Sequence, residues 1–139
     1  MAFHLDPQLA ASAIVVGDLL LSRVLLKDDS RRPWIILAPR RPALTELGDL
    51  AAPERSILME EIAAASSALR DLYRPSGVNV ATQVDDVAQL HVHVIARQDG
   101  EPAWPETLRP QAQGEADARY GAEAAQAAAS ALAARLGVA

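Results

Sequence analysis

Apolar and polar positions alternate along this chain in two rhythms, and the switches between them mark the elements. "DPQLAASA" opens with Asp6 as an N-cap and Pro7 at the first helical position, predicting a short helix. "AIVVGD" and "LLLSRVLLK" read as two strands hinged near Gly17 and Asp18. "DDSRRP" supplies turn chemistry, and the unbroken apolar run "WIILAP" reads as a buried strand. After a proline-punctuated loop, "APERSILMEEIAAASSALRDLY" predicts the main helix. Pro53 and Glu54 stand near its start, and Leu58, Ile62, Ala65, Leu69 and Leu72 recur at spacings of four and three as one apolar face. "RPSG" stops it. "VNVATQ" and "QLHVHVIAR" follow as two further strands joined by "VDDVA". Residues 98–113 read as loop, and the alanine-rich stretch 115–137 predicts a terminal helix ending at Gly137. Short turns between most strands, with one central helix, predict an α+β fold with an antiparallel sheet.

Composition narrows the function classes. A chain of 139 residues predicts one domain, 1–139, with a core over about 3–110 and a helical extension over about 115–137. Half the residues are hydrophobic and 22% are charged, as in soluble globular proteins. The net charge of −5 offers no basic patch to release counterions, which argues against nucleic acid as a partner. With no cysteine there is neither disulfide nor thiolate metal site. No secretory leader pattern opens the chain, and apolar runs break off well before the ~20 residues of a membrane span. The expectation is a cytoplasmic protein without a membrane partner.

The chemistry concentrates in "AQLHVHVIAR", residues 88–97, which holds two of the three histidines. On a strand, Gln89, His91 and His93 share one face, while Leu90, Val92 and Val94 take the other and pack into the core. Three readings of that face stand open. The histidines are exposed strand residues without a role; or they begin a metal site needing a third ligand from His4 or a carboxylate; or they act on a phosphate, one imidazole attacking phosphorus while its neighbours polarise the phosphate oxygens.

The order of residues resembles the histidine triad (HIT) superfamily of nucleotidyl hydrolases and transferases. Its signature, His-x-His-x-His followed by two apolar residues, stands here as "QLHVHVI", with Gln89 in the first position and His91 and His93 in the second and third. Asn79, on the preceding strand, falls where the family has a phosphate- or ribose-contacting Asn. "WIILAPRRPALTEL" is similar to the family's strand ending in Pro and a basic residue. "EPAWP" resembles a bacterial HIT-like hydrolase branch that also carries Gln first. The resemblance covers roughly residues 3–110.

That resemblance implies a HIT-like fold, a homodimer with a continuous sheet, and a nucleotide substrate attacked at its α-phosphate. His91 is the implied nucleophile, forming a nucleotidyl-imidazole intermediate that water cleaves, with a backbone carbonyl holding the proton on its other ring nitrogen. His93, Asn79 and Gln89 are implied donors to the phosphate oxygens, each worth about 3 kcal/mol by analogy with single-donor deletions. The scheme needs neither metal nor cofactor.

The chain also departs from the pattern. Gln89 cannot transfer a proton near neutral pH, "TQVDDVA" replaces the family's Gly-Gln-Ser/Thr stretch, and Pro42 stands where many members have His. A catalytically weak or inactive nucleotide-binding module is therefore an alternative, beside a metal-binding His-x-His protein. Among other residues, Trp34 reads as a core or dimer-interface residue, and Trp104 as covering the site or packing on a partner. Arg40, Arg41 and Arg97 either meet phosphate or lie in solvated or paired positions. His4 reads as an ordinary near-terminal residue, and Asp85 with Asp86 as turn chemistry.

Overall fold

The predicted strands assemble into one antiparallel sheet. In the computed structural model, which describes residues 2–83, 86–104 and 118–138, the strands are β1 (Ala13–Asp18), β2 (Ser22–Lys27), β3 (Trp34–Pro39), β4 (Gly77–Ala81) and β5 (Val92–Arg97). Among the described residues the helices are α1 (Pro7–Ser12), α2 (Ala52–Tyr73) and α3 (Ala122–Leu136). The sheet order is β1-β2-β3-β5-β4, so α2 carries the chain across to an edge and β5 returns beside β3. The expected turn residue Asp85, the proline after Trp104 and the start of the predicted terminal helix lie outside the described residues. No helix of the described residues is long and apolar enough to cross a membrane.

Alternation sorts the strands' side chains onto two faces. Val24, Leu26, Ile35, Leu37, Val92 and Val94 form one core with Leu58, Ala65 and Leu69 of α2 and with Ala129 and Leu132 of α3. The opposite face carries a smaller cluster, Leu25, Trp34, Ile36 and Ile95, covered by Leu9 of α1. As predicted, Asp6 caps α1 by accepting from the Gln8 N–H at 2.8 Å, with Pro7 in its first turn.

Three expectations need correction. The first two strands do not hinge at Gly17 and Asp18. Pairing continues through Gly17 opposite Val24 and Asp18 opposite Arg23, after a bulge between Val15 and Gly17, and the turn falls on Leu19–Leu21. The last strand does not begin at Gln89, because Leu90 donates to the Leu44 carbonyl at 2.9 Å and the Gln89 carbonyl is taken by an imidazole. The buried face of α2 is Leu58, Glu61, Ala65, Ala68 and Leu69, with Leu72 exposed. Glu61 rotates the stripe, since its carboxylate accepts from the Leu21 and Ser22 N–H groups at 2.8 and 3.0 Å. Those buried donors sit at the turn, where an unmade hydrogen bond is expensive.

A second carboxylate, partly buried, ties down the far end of β5. Glu101 accepts from Arg32 Nε at 2.9 Å, Arg97 Nε at 2.8 Å and the Gln98 N–H at 2.6 Å. Arg97, fully buried, also donates to Asn79 Oδ1 at 2.6 Å and to the Pro102 carbonyl at 3.2 Å. Burial opposes ionisation of Glu101, but the Gln98 N–H and the two guanidiniums outweigh it and hold its carboxyl below the ordinary value of 4.5.

Two outcomes follow. Glu61→Ala should cost about 2–4 kcal/mol in urea unfolding by stranding two buried N–H groups, and Glu61→Gln, which keeps one acceptor, should recover roughly half. Because the Glu101 value is depressed, its contribution is present above about pH 4.5 and lost as pH falls through the folded value. The Gln98 amide resonance should therefore shift in an acid step below pH 4.5, and that step should vanish in Glu101→Gln.

Candidate active site

The two histidines occupy the face of the sheet opposite α2. His93 lies opposite Ile36 of β3 and Ala81 of β4, and His91 immediately precedes β5. Both are buried, with ring centroids 4.9 Å apart and planes at 84°. The reading of them as exposed strand residues fails.

Their hydrogen bonds assign each ring a different tautomer. His91 Nδ1 lies 2.7 Å from the Gln89 carbonyl oxygen. A carbonyl only accepts, so Nδ1 carries the proton and, in the neutral ring, Nε2 carries the lone pair. His93 Nδ1 accepts from Trp34 Nε1–H at 2.9 Å. An indole only donates, so His93 Nδ1 holds the lone pair and Nε2 the proton. Trp34 also meets His93 edge to face, with centroids 5.5 Å apart. The pair thus offers one nucleophilic nitrogen and one donor nitrogen.

Both rings open on a cleft of about 350 Å³. Its walls are Gln8, Leu9, Ala11 and Ser12 of α1, Lys27 at the end of β2, Ile36, and Asp86 with Val87 before the strand. Lys27 places its ammonium 5.0 Å above the Trp34 ring, a cation–π contact that keeps a positive charge beside the histidines. A hollow of about 400 Å³ between the Leu47–Asp49 turn and the end of β4 contains neither histidine. Its Asp49 carboxylate already accepts from the Thr45 and Glu46 N–H groups. Chemistry favours the histidine cleft. Among the described residues no three His, Cys, Asp or Glu side chains cluster to hold a metal ion.

The remaining candidates lie elsewhere. Gln89 does not line the cleft; its amide accepts from the Asp6 N–H at 2.9 Å and donates to the His4 carbonyl at 2.8 Å. Asn79 and Arg97 share the histidine face of the sheet but bond each other, within the Glu101 cluster. Trp104 packs its ring over Gly77, the residue opposite Arg97, at the far end of β5 from His91. Arg40 donates to the Leu19 and Leu20 carbonyls at 2.8 and 3.0 Å, bracing the first turn. Arg41 pairs with Glu54. None of these side chains lines the cleft. Sequence reasoning missed Lys27 and the α1 wall. The residues are distant in sequence from the histidines, and only the strand order brings them together. Lys27 stands two strands away from β5 in that order.

Comparison with known proteins agrees with this geometry. The model of the HIT domain matches residues 8–100. A histidine triad protein from Bradyrhizobium japonicum superposes with TM-score 0.88 at 38% identity, covering 98% of this chain and 99% of that one. One from Marinobacter aquaeolei VT8 gives 0.90 at 31% identity, with 99% and 98% covered. One from Sinorhizobium meliloti 1021 gives 0.87 at 30% identity, with 96% of each chain covered. No curated protein matches the chain. With a buried histidine pair on the strand that the motif marks, a sheet shared with these structures, and a family model spanning residues 8–100, the chain belongs to the HIT domain family.

Proposed function

We propose that this protein is a nucleotide-binding hydrolase or transferase that acts at the α-phosphate of a nucleotide conjugate, a phosphoramidate or dinucleoside polyphosphate, through a nucleotidyl-histidine intermediate. The family's nucleotide-binding hydrolases and transferases make that class the starting point. The observation that carries the reading is the opposed tautomers of His91 and His93.

His91 Nε2 attacks phosphorus, and a P–N bond forms as the bond to the leaving group breaks. The leaving group takes the electron pair and a proton from solvent. Positive charge spreads over the phosphorylated imidazole to Nδ1–H, where the Gln89 carbonyl offsets it. His93 Nε2–H supplies a neutral donor to the phosphate oxygens, and Lys27 adds a positive charge to the cleft wall. Water then attacks phosphorus, releases a proton and returns His91 to its neutral form. With the Gln89 side chain bonded to the N-terminal backbone, the first motif position supplies no acid, so good leaving groups are favoured. The same feature favours the second reading, a binding module with little turnover. We place the protein in the cytoplasm, which its lack of cysteine supports.

The dimer is proposed through β4. Both β1 and β4 are edges, but β1 carries a bulge between Val15 and Gly17, whereas β4 pairs with β5 without a register shift.

His91→Ala should abolish single-turnover cleavage of adenosine 5′-phosphoramidate while leaving AMP affinity within about tenfold by calorimetry. His93→Ala should slow cleavage about 10²-fold, since it removes one transition-state donor. Wild type that binds AMP but turns over no conjugate supports the binding module, and wild type that does neither overturns the nucleotide reading. Light scattering should give twice the monomer mass at micromolar concentration; a monomer mass that persists on further concentration contradicts the dimer.

A further inference from the structure

The Gln at the first motif position has a use that replaces the expected one. Its amide oxygen accepts from the Asp6 N–H at 2.9 Å, and its amide nitrogen donates to the His4 carbonyl at 2.8 Å. These are the two peptide groups that flank Leu5. A residue in a neighbouring parallel strand would bond a chain in this way, its N–H to one flanking carbonyl and its C=O to the next N–H. The primary amide imitates such a residue because its donor and acceptor lie side by side and point the same way. An imidazole also has one donor and one acceptor when neutral, but its two nitrogens diverge across the ring, so a His here cannot satisfy both groups at once.

The segment so held leads directly into α1. Leu5 packs against the Leu9–Trp34 cluster, Asp6 caps the helix, and Gln8, Leu9 and Ser12 form one wall of the histidine cleft. A helix of six residues has little stability of its own and keeps its place through anchors at its ends. At one end the chain enters β1, where Ala13 pairs with Lys27. At the other end stands the Gln89 amide. The same residue's backbone carbonyl fixes His91 Nδ1.

We infer that Gln89 is a positioning residue that latches residues 4–6 and thereby sets the α1 wall against which the nucleotide is bound. This rests on the cleft being the nucleotide site. Gln89 then acts on substrate affinity through the wall and leaves the attacking nitrogen in place. The departure from histidine is an exchange of roles, from a group facing the phosphate to a clamp on the backbone.

Gln89→Met keeps the side chain's length and removes both hydrogen bonds. Hydrogen exchange of the Asp6 amide should accelerate about tenfold or more, with the core strands unchanged. For adenosine 5′-phosphoramidate, KM should rise about tenfold while kcat stays within about threefold. Gln89→Glu keeps the acceptor for the Asp6 N–H and loses the donor, so its exchange rate should fall between wild type and Gln89→Met. Gln89→His should release the segment as Met does. Asp6 exchange that is unchanged in Gln89→Met overturns the latch. So does a hundredfold loss of kcat with KM and exchange unchanged, which would put the side chain on the substrate. If wild type neither binds AMP nor cleaves the phosphoramidate, the nucleotide reading fails, and Asp6 exchange still decides whether the latch exists.

Discussion

Successive residues of a strand face opposite ways, and β5 with the residues just before it needs both faces. Leu90, Val92, Val94 and Ala96 are buried against the helices, so any slip in register would move them out of the main core. The register they enforce is what holds His91, His93, Ile95 and Arg97 on the other face. A site built this way inherits the rigidity of the core. His93 needs no loop to position it, His91 is fixed just before the strand by the Gln89 carbonyl, and the reach of both rings is set by hydrophobic packing on the far side of the sheet.

Burying two imidazoles together demands that their protons be assigned, since a buried polar group without a defined partner is costly. Two hydrogen bonds to non-titrating groups do this. A backbone carbonyl can only accept and an indole N–H can only donate, so each dictates the state of the nitrogen it touches. The outcome is a pair of rings with opposite polarity at their Nε2 atoms. Trp34 thus belongs to the site as well as to the core. Lys27, held over its ring, adds a positive charge to the cleft wall. Arg97 and Asn79 do different work, closing the end of β5 around Glu101.

Much of this was legible in the residues, for identifiable reasons. The helix at 52–73 was readable because Pro53 and the "RPSG" stop punctuate a long periodic segment. The strands were readable from apolar runs, and the buried alternation around His91 and His93 followed from period two. The face of α2 differs from the apolar stripe because a charged residue, Glu61, is buried, drawn inward by two N–H groups on a different element. The same blindness to long-range polar partners affected the site. Arginines and an asparagine next to a phosphate-type motif look like phosphate ligands, yet Arg40 braces a turn and Arg97 meets Glu101. Trp34 gave no sign of its indole bond, and Lys27 looked like an ordinary strand end. Gln89 departs visibly from the motif, but its partners lie 83 and 85 residues away.

The two rings hold opposite tautomers, and long-range ¹⁵N–¹H correlation of the histidine side chains at neutral pH reads this directly. His91 should show a protonated Nδ1 and a bare Nε2, and His93 the reverse, with the His93 pattern losing its definition in Trp34→Phe. Finding the same tautomer on both rings, or His91 with its proton on Nε2, would contradict the account.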